Sequence, residues 1–207
     1  MTLNDYKLLF RRKLGEFKGE LCLLANGKII NTWVARSGQP NPADYWTTGE
    51  SPIPPSDRII GEYQVNLNGY VPGDTTAMGD LYFHIEPDPI LQKDGPGRRS
   101  EIGLHCDQNY DYAPGSAGCI AVSPNDWDDC EQILKNLKSK GLSKVPLEVD
   151  YYTDNNKNDK TDDVTIGHVE YDSVKLFYHP GVSAPTIIIN GQTKKAASVD
   201  IEIKFEK

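Results

Sequence analysis

Two residues in the segment Ile102 to Val122, IGLHCDQNYDYAPGSAGCIAV, have the side-chain chemistry of nucleophilic catalysis: His105 and Cys119. A free thiol has a pKa of roughly 8.5, so at neutral pH it attacks a carbonyl only when a base takes its proton or a nearby cation favours the thiolate. Cys119 is the candidate nucleophile and His105 the candidate base. Ile102 and Leu104 lead into the histidine and Ile120 and Val122 follow the cysteine, each with a period of two, as two half-buried strands would. The run Ala113-Pro114-Gly115-Ser116-Ala117-Gly118 is a turn that delivers Cys119 to the mouth of the sheet. A cysteine in a strand is ordinarily a small buried hydrophobe. Gly-Ser-x-Gly in front of this one permits positive φ and leaves backbone N–H groups beside the sulfur, the donors an oxyanion hole needs.

The segment HCDQNYDYAPGSAGCIAV resembles the signature of the L,D-transpeptidases, cysteine enzymes of bacterial cell-wall metabolism in which a His precedes a Ser-x-Gly-Cys element. Trp33-Val34-Ala35-Arg36-Ser37-Gly38, Ser51-Pro52-Ile53-Pro54 and Gly61-Glu62-Tyr63 follow the order of such domains, and Gly97-Arg98-Arg99-Ser100 before IGLH fits the shorter, effector-like or phage-like relatives. The likeness covers about residues 15 to 152. It implies a mainly β fold, an L,D-transpeptidase-like β-sandwich with one principal helix after Cys119. It also implies cysteine-dependent acyl transfer on peptidoglycan stem peptides through a thioester. Cys119 would attack the carbonyl carbon of a diaminopimelate or similar residue, and His105 would take the thiol proton and return one to the leaving amine. The N–H groups of Gly118 and Cys119 would face the oxyanion, Ser116 would shape the turn or bond substrate, and the Cys106 carbonyl would orient the imidazole.

Departures from the family pattern bear on substrate more than on chemistry. Cys119 follows His105 by 14 positions, a short interval that trims the loop usual over the site. Ala117 stands where the family often has His, Ala121 where a substrate-holding Arg or Asn is usual, and Cys106 where Gly or Ser is common. Resolution of the acyl-enzyme by an amine gives an L,D-transpeptidase and by water an L,D-carboxypeptidase, and both stay open. A catalytically inactive wall-binding or structural protein on the same fold, suggested by Ala117 and Ala121, and a delivered antibacterial effector are the other readings.

The elements that must position these residues follow from the rest of the chain. At 207 residues it is long enough for one main domain with a small appendage: a catalytic domain over 1–153, a polar linker over 154–163 and a β appendage over 164–207. The Asn26-Gly27 pair between alternating runs signals a hairpin within residues 17–36. Strands are expected at Gly61 to Leu67, Gly79 to Glu86 and Val145 to Tyr151, with a Pro-rich loop from Gln39 to Arg58 whose Tyr45 and Trp46 either wall a cleft or pack. Tyr82 and His84 share one face of their strand and join the candidate substrate contacts, as do Arg98 and Arg99, whose planar forks suit a substrate carboxylate. Ser123 as N-cap, Pro124 at the first position, Asp126, Asp128 and Asp129 near the start, and the stripe Trp127, Cys130, Ile133, Leu134 and Leu137 predict a helix ending at Gly141.

A net charge of −8 argues against nucleic acid, since only short basic runs such as Arg11-Arg12-Lys13 occur. No stretch approaches the ~18 apolar residues of a membrane span and the start lacks an apolar signal core, so the expectation is synthesis in the cytoplasm with action in periplasm or cell wall after non-classical export. The four cysteines and four histidines lack metal-ligand spacing, and neither a metal nor another cofactor is called for. Asp154, Asn156 and Asn158 mimic the opening of a calcium loop, but Asp159 and Thr165 stand where Gly and Glu belong. The expected partner is a peptidoglycan stem peptide; oligomeric state is not encoded in any of these signals.

Overall fold

The structure is a computed structural model that describes residues 6–40, 44–49, 51–110, 116–153, 174–177, 186–189 and 192–195. The chain divides into two units, Met1–Lys157 and Asn158–Lys207.

Among the described residues the first unit carries ten strands: β1 (Tyr6–Lys13), β2 (Gly19–Ala25), β3 (Lys28–Arg36), β4 (Tyr63–Asn66), β5 (Tyr82–Glu86), β6 (Ile90–Leu91), β7 (Arg98–Arg99), β8 (Gly103–Cys106), β9 (Ile120–Val122) and β10 (Lys144–Tyr152). A short helix α1 (Thr75–Met78) precedes β5, and the principal helix α2 (Pro124–Ser139) joins β9 to β10. The expected sandwich is replaced by a closed barrel in the order β1-β10-β4-β5-β8-β9-β3-β2, with β6 and β7 paired separately. Closure comes from β1, which pairs antiparallel with β2 and parallel with β10 and so leaves neither with a free edge. Its sequence, YKLLFRRK, hides the alternation because the third inward position after Leu8 and Phe10 is Arg12.

The Asn-Gly hairpin forms between β2 and β3, with φ of 51° at Asn26 and 74° at Gly27, the positive pair a two-residue turn of this kind wants. The core gathers Leu8, Phe10, Leu21, Trp33, Tyr63, Phe83 and Leu104. Helix α2 adds Trp127, Cys130, Leu134 and Leu137, with Ile133 half-buried at its edge, and each fully buried Leu contributes about 1.5–3 kcal/mol. The acidic residues of its first turns also fasten it to β3: Asp126 accepts the Val34 N–H at 2.8 Å and Asp129 the Trp33 indole N–H at 2.8 Å. Ser123 occupies the N-cap position without a side-chain capping bond.

The parallel pairing of β8 with β9 explains the interval between His105 and Cys119. Parallel neighbours need a crossover of about a dozen residues or more, and the stretch from Asp107 to Cys119 is that connection. Register partners Tyr82, His105, Ala121 and Arg36 form one row across β5, β8, β9 and β3, with their side chains on one face. The alternate residues Phe83, Leu104, Cys106, Ile120, Val122 and Ala35 belong to the core.

In the second unit, β11 (Val174–Phe177), β12 (Thr186–Ile189) and β13 (Gln192–Lys195) make a three-stranded antiparallel sheet. The polar linker and the calcium-loop mimic lie outside the described residues.

Candidate active site

Cys119 sits at the end of the crossover, one residue before β9, beside Gly103 on β8. Of the four cysteines, Cys22, Cys106 and Cys130 are buried and Cys119 alone is partly exposed. The turn in front of it is held by its own atoms. The Ser116 hydroxyl donates to the Cys119 carbonyl and accepts the Gly118 N–H at 3.2 Å and the Gly38 N–H at 3.2 Å. Ser116 is therefore a turn-shaping residue, and the Gly118 N–H expected to face an oxyanion is engaged within the turn. Gly118 itself has φ of 122°, and a Cβ there would meet Arg99 Nη2 at 2.1 Å. Residues Ala113 to Gly115 lie outside the described residues.

Arg99 is 2% exposed and its fork is committed to backbone: Nη1 donates to the Tyr45 carbonyl at 3.0 Å and the Ser51 carbonyl at 3.2 Å, and Nη2 to the Ala117 carbonyl at 2.6 Å. It binds the Pro-rich loop to the nucleophile turn, and its charge favours the Cys119 thiolate. Three of the five N–H donors of Arg99 are thus given to backbone carbonyls, whereas Arg98 is exposed. Tyr45 and Trp46 pack, Tyr45 against Tyr151 at 5.3 Å and Trp46 over Gly97, as the second of the two expectations for that pair has it.

His105 is 5% exposed, and its Nδ1 lies 2.7 Å from the Cys106 carbonyl, the contact expected from the sequence. A carbonyl only accepts, so Nδ1 carries the proton and Nε2 keeps its lone pair. Burial pushes the imidazole below the ordinary histidine range, against the opposing pull of that carbonyl. Burial likewise pushes the Cys119 thiol up, opposed in turn by the Gly103 N–H, the Tyr82 hydroxyl and the Arg99 charge. Both groups are thus held in their neutral forms near pH 7.

Tyr82 touches both. Its ring lies 5.9 Å from the His105 ring at 11°, and its hydroxyl donates to the Glu101 carbonyl at 2.8 Å and stands 3.8 Å from Cys119 Sγ. The ring crosses directly over Gly103, where a Cβ would fall 2.1 Å from Tyr82 Cζ, so only glycine admits it. The sulfur also approaches the Glu101 carbonyl at 3.9 Å. No hydrogen bond joins His105 to Cys119 among the described residues. His84 shares the strand face of Tyr82 but places its Nε2 3.3 Å from an Asp88 carboxylate oxygen. Cys106, next to the imidazole in sequence, points into the core, where burial pushes its thiol up to about 11.

Two positioning groups are not evident from sequence. Ser37 is fully buried; its hydroxyl donates to the Gly118 carbonyl at 3.0 Å and accepts the Ile53 N–H at 2.9 Å, tying the nucleophile turn to the Pro-rich loop. Arg12 is also fully buried, donating to the carbonyls of Ser37 and Gln39, with the Tyr151 ring 5.1 Å from its Cζ. The only sequence signal for the first is Ser-Gly at a strand end, and for the second an arginine in phase with Leu8 and Phe10. Among the described residues no group of three His, Cys, Asp or Glu is arranged to hold a metal ion.

No protein family matches the chain, and a search of curated proteins also returns no match. Among solved structures it is similar to the helical cell shape determining protein Pgp2 of Campylobacter jejuni, at 15% identity and a TM-score of 0.44, over 72% of this chain and 48% of that one. It is similar to L,D-transpeptidase 1 of Mycobacterium tuberculosis at 17% identity and a TM-score of 0.33, over 71% of this chain and 63% of that one. The L,D-transpeptidase of Mycobacterium smegmatis gives 16% identity and a TM-score of 0.33, over 70% and 59%. The chain thus spans between about half and two-thirds of the length of these proteins.

Proposed function

We propose that this protein is a cysteine-dependent acyltransferase of peptidoglycan stem peptides, an L,D-transpeptidase or L,D-carboxypeptidase working through a thioester on Cys119. The observation that carries the reading is the pairing on one sheet face of the sole partly exposed cysteine with an imidazole whose Nδ1 is occupied and whose Nε2 is left to accept a proton. In the first step Cys119 Sγ bonds to the carbonyl carbon of a diaminopimelate or similar residue while the thiol proton passes to His105 Nε2. The carbonyl oxygen takes the negative charge, facing the Cys119 N–H. Collapse of this intermediate breaks the C–N bond, and His105 returns its proton to the departing amine. Attack on the thioester by an amine then gives a cross-link or amino-acid exchange, and attack by water gives the trimmed peptide.

Mass spectrometry of purified sacculi incubated with the protein tests this. Cross-linked or trimmed muropeptides are expected with the wild type and none with Cys119→Ala; turnover retained in the variant refutes the assignment.

A second reading, a catalytically inactive wall-binding or structural protein on the same fold, is favoured by one observation: the sulfur rests beside the Tyr82 hydroxyl with no hydrogen bond to His105. A thiol-reactive probe separates the two. Fast labelling of Cys119 over Cys22, Cys106 and Cys130 near neutral pH supports the enzyme, and uniformly slow labelling the scaffold.

A further inference from the structure

Three arginines are buried in the first unit, and they use their donors differently. Arg12 gives hydrogen bonds to the carbonyls of Ser37 and Gln39, and Arg99 to those of Tyr45, Ser51 and Ala117. Among the described residues Arg36, 6% exposed, gives one, from Nη1 to the Tyr110 carbonyl at 3.1 Å. Nη1 also lies 3.8 Å from an Asp107 carboxylate oxygen, an ion pair too long for a hydrogen bond, and the Tyr110 ring stacks on the guanidinium with its centroid 3.5 Å from Cζ. The Arg36 Nε–H is buried with no hydrogen-bond partner, as is that of Arg12, but Arg36 alone of the two stands in the row that carries His105. A buried guanidinium with an unused N–H is costly to hold in a fold unless something else takes up the donor.

The place of this side chain gives that donor a use. Arg36 is the register partner of Ala121, which is in turn the partner of His105, so the three side chains stand in one row on the face that carries the reacting pair. In this row Ala121, whose side chain is a single methyl, stands between His105 and Arg36. With strands about 4.8 Å apart, the Cα atoms of Arg36 and His105 are separated by roughly 10 Å, the span of about two to three extended residues.

We propose that Arg36 is a specificity-determining residue that receives, on its Nε edge, a carboxylate of the peptide processed at Cys119, carried close in sequence to the attacked carbonyl. The proposal rests on the acyl-transfer reading and names its substrate class: peptides with a free carboxylate next to the reacting centre. Tyr110, stacked on the face of the guanidinium, fixes its plane so that the fork is presented in one orientation. Two carboxylates of a stem peptide qualify, that of the departing C-terminal residue and that on the diaminopimelate side chain.

The test compares kcat/KM for three tetrapeptides: the free acid, its C-terminal carboxamide, and the peptide amidated on the diaminopimelate side chain. In the wild type, amidation of one of the two should lower kcat/KM by about tenfold or more, as expected for loss of a charge-assisted hydrogen bond, and which one identifies the carboxylate. In Arg36→Gln that same ratio should collapse towards one. Amidation without effect in the wild type, or a penalty that persists in a folded Arg36→Gln, overturns the proposal. Should Arg36→Gln lose its cooperative melt, the comparison is read on Arg36→Lys, where the ratio should shrink because the charge remains but the fork is gone; an undiminished ratio there also overturns it. If the wild type turns over no peptide, the acyl-transfer reading fails by itself. The carboxylate site is then judged on alkylation of Cys119 by iodoacetate relative to iodoacetamide: a ratio that falls in Arg36→Gln supports it, and an unchanged ratio overturns it.

Discussion

Replacing Arg99 by Met isolates what one buried guanidinium does for the nucleophile. Methionine keeps much of the apolar stem and removes three donated hydrogen bonds, to Tyr45, Ser51 and Ala117, at 3.0, 3.2 and 2.6 Å. Charge-assisted hydrogen bonds are worth about 1.5–3 kcal/mol each. Water can reach the Tyr45 and Ala117 carbonyls once the cation is gone, whereas the Ser51 carbonyl bond is buried, so the net loss is expected at about 3–5 kcal/mol. In a domain of this size that lowers Tm by roughly 6–20 °C. A second consequence is electrostatic. The Arg99 charge pulls the Cys119 thiol down against the larger upward push of burial, so its removal raises the thiol further and slows alkylation at neutral pH. Denaturant unfolding gives the first quantity, and the pH dependence of iodoacetamide modification followed by mass spectrometry gives the second. A variant with wild-type stability and an unmoved alkylation profile would refute the argument that this residue holds the turn and biases its sulfur.

Further outcomes follow from neighbouring contacts. Tyr82→Phe removes the hydroxyl bonded to the Glu101 carbonyl and set 3.8 Å from the sulfur; it should cost about 1 kcal/mol and raise the Cys119 thiol further, and unchanged alkylation kinetics would contradict the contact. Gly118→Ala places a Cβ against Arg99 at a φ of 122° and should destabilise by more than about 1–3 kcal/mol, measured by thermal melting; a stable variant would mean that the turn adapts freely. Because burial lowers the His105 pKa, protonation switches off the base only below the ordinary value of about 6.5. Turnover should therefore be flat through neutral pH and fall on the acid side with a midpoint under that value, and an acid limb centred above it would exclude His105 as the base.

The sequence alone carried the local features. Asn26-Gly27 demanded positive φ at two successive residues and so announced its hairpin. The 3.6-residue stripe through Trp127, Cys130, Leu134 and Leu137 announced α2, and the period of two around His105 and Cys119 announced β8 and β9. Each of these is encoded within a few residues, where propensity and periodicity act. Tertiary structure decided what depends on distant partners. Arg12 reads as part of a basic run until the carbonyls of Ser37 and Gln39 and the ring of Tyr151 make its burial tolerable, and with it β1 closes a barrel in place of a sandwich. Arg99 looks free to bind substrate until the carbonyls of three separated residues engage its fork and bury it. The register that sets Tyr82, His105, Ala121 and Arg36 in one row is likewise fixed only when four strands meet. A backbone carbonyl looks the same at every position in a sequence, so which carbonyls a buried cation will find is settled by the fold.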